Sequence, residues 1–309
     1  MQLVGKNGNN ARMGHRVAGT RGRYGVALAA LLVAALGTAC GSTGSAPAVK
    51  DKKAETGRSG AQGPAVSAQQ LQQARALAAK KWGLAQAPLA APAAPKTKPE
   101  ITFRKGFEVE DGDELPPVFT TVPTEDKVVF LTIDDGAEKD PEFLKMMQEL
   151  KLPYTAFLSD YLVRDNYAYF KQMQSEGVSI NNHTLNHRYL PALSYEKQRQ
   201  EICGMQDTIQ KEFGKRPTLF RPPYGNYNQD TLRAAKSCGV KSVPIWNAEA
   251  FTDRMDYREE DKDLHPGDII LTHFRGREDW KGTMPDMIRQ VMKTVTAKGY
   301  AVARLEDYL

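Results

Sequence analysis

The stretch Val128-Val129-Phe130-Leu131-Thr132-Ile133-Asp134-Asp135-Gly136 decides the fold. Its first six residues are apolar or β-branched with no polar alternation, the pattern of a strand buried on both faces. Such a strand belongs in a parallel sheet covered by helices. The two acids and the glycine that follow then sit at its C-terminal end.

Outward from this strand, β and α patterns alternate. Residues 116–127 hold another β-rich run, broken at Pro123. Downstream, Asp140-Pro141 supplies an N-cap and a first-turn proline, and Phe143, Leu144, Met147 and Leu150 follow at helical spacing. Further strands are predicted at 154–158, 178–181, 218–220, 242–246, 269–272 and 301–305, and further helices at 165–176, 194–213, 228–238 and 283–298. Gly177, Gly239 and Gly299 serve as helix stops. About seven strands separated mostly by helices predict an α/β domain with a parallel sheet, open or closed into a barrel. In a barrel, chemistry belongs at the C-terminal ends of the strands.

Those ends carry the polar residues. Asp134 and Asp135 end the first strand, His183 and His187 follow 178–181, Arg221-Pro222-Pro223-Tyr224 follows 218–220, and His273 ends 269–272. Taken singly, these read as a turn, surface histidines, a rigid loop and a core histidine. Taken together they do not, because three of the five histidines fall at predicted strand ends. Two imidazoles and a carboxylate suit a divalent ion such as Zn²⁺, with positions left for a water whose pKa falls to about 7 in favourable zinc sites. A second carboxylate can serve as base, an arginine can orient it, and an opposed histidine can protonate a leaving group. The set describes metal-assisted hydrolysis of an amide or an ester.

Four ordered blocks now resemble a known family, the polysaccharide deacetylases of the NodB-homology type, carbohydrate esterase family 4, across residues 116–309. Thr132-Ile133-Asp134-Asp135-Gly136 resembles its T-F-D-D-G, and His183-Thr184-Leu185-Asn186-His187 its H-[ST]-x-x-H. Arg221-Pro222-Pro223-Tyr224 resembles its R-x-P-Y, and Leu271-Thr272-His273 the end of its L-x-L-x-H. The resemblance implies a distorted (β/α)₇ barrel acting on acetylated polysaccharide. It implies Asp134 as catalytic base, Asp135, His183 and His187 as metal ligands, and Arg221 as the partner that orients Asp134. The backbone N–H of Tyr224 would stabilise the oxyanion, an effect worth about 3–4 kcal/mol in comparable sites. His273 would be the general acid, and Trp246 and Leu271 would line the acetyl pocket. One divalent ion is expected, Zn²⁺ first, with Co²⁺, Ni²⁺ or Mn²⁺ as alternatives.

The chain departs from the family at two blocks. Ile133 replaces a phenylalanine, a change of packing only. The block D-x-x-D-W is not recognisable after Trp246; Glu249 and Asp253 are the candidates for its acid, and Phe251 for its aromatic. Cys203 and Cys238 lie on predicted helices away from the site, either paired in an exported protein or buried as free thiols.

The N-terminal third is different material. Residues 1–26 carry five basic residues and no acid, an apolar run spans 26–36, and Gly37-Thr38-Ala39-Cys40 follows. This is an export signal, too short for a comfortable membrane span. Cys40 followed by Gly41-Ser42 resembles a bacterial lipobox, although Gly37 stands where leucine is preferred; Gly37-Thr38-Ala39 would also suit ordinary signal peptidase. The expected organisation is a lipoprotein-type signal at 1–39, an Ala/Pro/Gln-rich disordered linker at 40–100 and the deacetylase domain at 101–309. A coil of 60 residues would reach on the order of 40 Å. The stretch 67–81 has helical character, but nothing in the sequence shows what would cover it.

The +5 net charge belongs to the signal alone. Residues 101–309 hold 28 basic and 34 acidic residues, a net of −6, and the chain from Cys40 onward is neutral. A nucleic-acid partner is therefore not expected. The expected protein is an exported monomer at the outer face of the cell membrane, held by a lipid anchor, or secreted. It would remove N-acetyl groups from N-acetylglucosamine-containing glycans such as peptidoglycan. The alternatives are an O-acetyl esterase on a xylan-type polymer and a non-catalytic, lipid-anchored glycan-binding protein on the same scaffold.

Overall fold

The computed structural model describes residues 67–102, 109 and 114–309. The expected signal, Cys40 and the first part of the expected linker lie outside the described residues. In chain order the elements are α1 (Ala68–Trp82), β1 (Val118–Phe119), β2 (Val128–Asp135), α2 (Pro141–Leu150), β3 (Thr155–Leu158), α3 (Asp160–Val163), α4 (Tyr167–Ser175), β4 (Ser179–Asn182), α5 (Tyr195–Phe213), α6 (Gln229–Ser237), β5 (Val243–Pro244), β6 (Ala248–Ala250), β7 (Met255–Tyr257), β8 (Ile269–His273), α7 (Met284–Ala297) and β9 (Ala301–Ala303).

Strand β2 organises the sheet. All eight of its residues are buried. One edge pairs in parallel with β8; the other pairs with β9 at its start and β3 at its end. The main ladder runs β4-β3-β2-β8-β6-β7, parallel except for the β6–β7 hairpin. Beyond β4, single bridges continue through Phe220 and Ser242 toward the short β1–β5 pair, and Thr121 bridges to Asp268 before β8. The α/β architecture is as expected. The strands expected at 218–220 and 242–246 shrink to bridges and two paired residues. Pro217, Pro222 and Pro244 interrupt this side, and proline cannot donate to a ladder.

Period-two alternation sorts the core. Val128 and Phe130 of β2 pack in one cluster with Phe157, Leu219 and Ile269. Val129, Leu131 and Ile133 point the other way, into the layer formed with Phe143, Met147, Ile288 and Val291 of the helices. Each fully buried side chain of this size contributes about 1.5–3 kcal/mol. Local signals set the helix starts. Asp140 accepts from the N–H groups of Glu142 and Phe143 ahead of α2, and Asn166 caps α4 through Tyr169 N–H. That second cap is why the helix expected from 165 begins at Tyr167.

Helix α1 lies within the stretch read as linker. Ser67 and Gln70 form a capping box, and Ala78, Ala79 and Trp82 join the core layer. Trp82 Nε1 donates to Glu149 at 2.7 Å, and Arg289 Nε donates to the Trp82 carbonyl at 2.7 Å. Its cover thus comes from α2 and α7, far along the chain. The described residues from 67 onward belong to one compact unit, so the boundary expected at 101 falls inside it. Cys203 of α5 and Cys238 at the end of α6 form a disulfide. Among the described residues, no helix is long and apolar enough to cross a membrane.

Candidate active site

The C-terminal end of β2 places two carboxylates differently. Asp134 continues the strand's alternation, on the same face as Thr132. Asp135 would point to the helix side, but its φ of 79° ends the strand and turns the residue out of that alternation. Gly136 continues the turn at φ 98°, and a side chain there would lie 2.4 Å from Val163. This tight turn therefore requires glycine.

Asp134 is paired with a buried arginine. Arg221 Nη1 donates to Asp134 Oδ1 at 2.7 Å and to Thr132 Oγ1 at 2.9 Å. Its Nε donates to the Pro244 carbonyl at 2.8 Å, and the guanidinium stacks 4.3 Å from the centre of the Phe157 ring. Arg221 is fully buried, so its orientation is fixed on every side. Burial pushes the Asp134 carboxyl up to about 6, against the opposing charges of Arg221 and His273. Removing one partner of such a buried pair typically costs 3–5 kcal/mol.

The loop after β4 delivers His183 and His187. Glu201 of α5 accepts from both the backbone and the side-chain N–H of Asn186, each at 2.8 Å. Thr184 and His187 both take left-handed backbone, and the His187 N–H donates to Thr184 Oγ1. His183 Nδ1 lies 2.7 Å from the Arg221 carbonyl, which makes Nδ1 the protonated nitrogen and leaves Nε2 free. Nε2 of His183 and of His187 lie 3.6 and 3.4 Å from Asp135 Oδ1. Burial lowers both imidazoles to about 4, so both are neutral near pH 7. Burial alone would raise the Asp135 carboxyl; the nearby histidines and Arg275 outweigh it and hold it low.

The ligand atoms of Asp135, His183 and His187 lie within 4.8 Å of one another and can hold a metal ion. The donor set fits a divalent cation. Asp135 Oδ1 is buried without a hydrogen-bond partner, facing two neutral imidazoles with free nitrogens. Outside a metal complex, that orphaned oxygen would carry a desolvation cost of order 1–3 kcal/mol.

The other side of the mouth is built by β8. Register places Asp134 directly beside His273. Leu271, two residues earlier on the same face, is buried beneath it. The candidates for the missing acid now separate. Glu249 of β6 approaches His273 Nδ1 at 3.8 Å, within ion-pair range but too long for a direct hydrogen bond. Asp253 is exposed and pairs with Arg254. The aromatic beside His273 is Trp280, edge-on at 6.4 Å, with Phe251 behind it at 6.0 Å. Phe251 is thus a support for Trp280, which arrives from the loop after β8.

Tyr224 sits in a 3₁₀ turn at φ 61°, with its ring exposed and edge-on to His187 at 4.8 Å. Trp246 packs against Gly225, where a Cβ would lie 2.8 Å from the indole. Sequence reasoning missed Arg275, which donates to Asp135 Oδ2 at 2.6 Å. It also missed Tyr161, exposed on α3, and Tyr189, exposed on the loop that follows β4. Arg275 stands two residues after His273, which is the signal that could have found it.

A buried carboxylate–arginine pair and a carboxylate–imidazole triplet that can hold a metal ion thus stand together at strand ends of an α/β sheet. The polysaccharide deacetylase family model matches residues 121–243. An uncharacterized protein of Streptomyces coelicolor is 40% identical over 203 residues, spanning 65% of this chain and 81% of the relative. A peptidoglycan-N-acetylglucosamine deacetylase of Bacillus cereus is 29% identical over 210 residues, spanning 63% and 96%. Among solved structures, a family 4 pseudoenzyme from Bacillus anthracis aligns with a TM-score of 0.53 at 21% identity, covering 62% of this chain and 69% of that one; this likeness concerns the fold alone. Residues 121–243 of the chain are thus a polysaccharide deacetylase domain.

Proposed function

We propose that the protein is a metal-dependent deacetylase that hydrolyses the acetamido group of N-acetylglucosamine units in a glycan such as peptidoglycan or a chitin-like oligomer. The observation that carries this reading is the shared mouth in which Asp135, His183 and His187 converge while Asp134 and His273 stand side by side on β2 and β8. A divalent ion held by the three ligands, Zn²⁺ or one of Co²⁺, Ni²⁺ and Mn²⁺, would polarise the acetyl carbonyl and activate a water. Asp134, oriented by Arg221, takes the proton from the attacking water. The Tyr224 backbone N–H donates to the developing oxyanion. His273, with Glu249 behind it, gives a proton to the nitrogen as the C–N bond breaks, leaving acetate and a free amine.

Two further features support a glycan substrate and an exported protein. The exposed rings of Tyr161, Tyr189 and Tyr224 offer flat amphipathic faces suited to sugar rings. The N-terminal signal and Cys40 favour a chain tethered by lipid at the outer membrane face, or secreted, and a disulfide suits an oxidising compartment. A fold alone does not confer activity; a pure glycan binder needs neither the buried Asp134–Arg221 pair nor His273.

The test is acetate release from chito-oligomers, peptidoglycan and acetylated xylan by metal-stripped protein, before and after adding each ion. Metal-restored release from the N-acetylated glycans is expected. Release from xylan alone would make the protein an O-acetyl esterase, and glycan binding without turnover under any ion would make it a binder.

A further inference from the structure

Arg275 follows β8 on a short, firmly anchored segment. Phe274 is fully buried, packed edge-on against Phe143 and Phe170. Its N–H donates to the Asp134 carbonyl at 3.0 Å, and its carbonyl accepts from Glu138 N–H at 2.9 Å. On the other side, a Cβ on Gly276 would lie 2.1 Å from the Glu138 carboxylate. The segment that carries Arg275 is therefore clamped to the two sides of the Asp135-Gly136 turn. Arg275 Nη2 donates to Asp135 Oδ2 at 2.6 Å, and Nη1 is within 3.6 Å of Asp279.

We propose that Arg275 is a positioning residue for the metal centre. It holds Asp135 Oδ2, so that Oδ1 alone faces His183 and His187 and Asp135 acts as a one-oxygen ligand. A carboxylate free of Arg275 would rotate about its Cβ–Cγ bond and present either oxygen, or both. Asp279 steadies the guanidinium from the solvent side. The inference rests on the metal-site reading given above. It adds a residue that lies outside the four sequence blocks and that acts through Asp135. Partners that orient a metal ligand in this way commonly account for about 10–100-fold in metal affinity.

The test uses the full-length protein, stripped of metal and titrated with Zn²⁺ against a chromophoric chelator, and separately with Co²⁺ while its visible spectrum is followed. Wild type is compared with R275M and with R275K, whose amine cannot span both carboxylates as the guanidinium does. R275M is expected to bind Zn²⁺ about 10–100-fold more weakly, with an altered Co²⁺ spectrum, and R275K to fall between it and wild type. A Zn²⁺ affinity for R275M within twofold of wild type, or tighter, overturns the inference, even if KM for glycan rises. If R275M does not fold, R275K decides by direction: weaker Zn²⁺ binding with an altered Co²⁺ spectrum supports the inference, and wild-type values overturn it. Failure of wild type itself to bind metal would instead overturn the reading on which the inference rests.

Discussion

The two sides of the mouth are built in different ways. The metal side takes Asp134, Asp135, His183, His187 and Arg221 from within residues 121–243, the stretch the family model matches. The acid side takes Glu249, Leu271, His273 and Trp280 from beyond it. The metal side is nearly solvent-free, and Asp134 and His183 are each held by a hydrogen bond of 2.7 Å. The acid side is looser. Its central ion pair spans 3.8 Å, and both of its members are about one-quarter exposed. A metal centre demands several donors in one fixed geometry, whereas a proton donor needs only reach and a suitable pKa. The comparison teaches that the first task constrains sequence tightly and the second can be met by different residues.

Substitutions on the metal side should have the largest effects, and they should divide by role. D135A is expected to lose both metal binding and turnover, whereas D134N should keep the metal and lose about 10²–10⁴ in kcat. Metal content and single-turnover rates check this; an active D135A would break the division. On the acid side, H273A is expected to cost about 10²–10³ in kcat with metal affinity unchanged. E249Q should cost less, and mainly move the pH–rate profile. If E249Q instead abolished metal binding, the two sides would not be separable.

Smaller effects lie outside the mouth. Replacing Cys238 by serine opens the link between α5 and α6, which closes a 35-residue separation. A loss of about 2–4 kcal/mol is expected in denaturant unfolding, with metal affinity little changed. The smallest effect concerns His265, remote from the mouth. Burial alone would lower its pKa, but the Asp261 hydrogen bond and the charges of Asp268 and Asp261 outweigh it and raise it. Its stabilising contribution is therefore fully present below the unfolded value near 6.5 and is lost as pH rises through the raised folded value. His265 is partly exposed, so the H265Q difference should stay below about 1 kcal/mol. It should be measurable at pH 5.5 and vanish in alkaline buffer; a difference that grew with pH would reverse the assignment.

Much of the metal side is legible in sequence because its residues are neighbours there. Asp134-Asp135-Gly136 is one turn, and His183 and His187 share one loop. Even so, the pairing of Arg221 with Asp134 came from the family resemblance, since 87 residues separate them. Helix α1 had visible propensity but no visible partner. Its apolar stripe is narrow, and Glu149 and Arg289, which hold Trp82, come from α2 and α7. The acid side was open for the same reason. Glu249 and Asp253 are equivalent on paper, and only the register of β6 on β8 brings one of them to His273.

The sequence by itself determined the central buried strand, the alternation of strands and helices, the polar groups at strand ends and the origin of the net charge. These follow from local period, capping residues and composition, which short-range physics reads directly. Tertiary structure alone decided which acid stands by His273, that Trp280 supplies the aromatic, that Cys203 bonds Cys238, where α1 docks, and that Arg275 holds Asp135. Each of these is a contact between segments far apart in the chain. Strand register, helix packing and loop closure must all be in place before such residues meet.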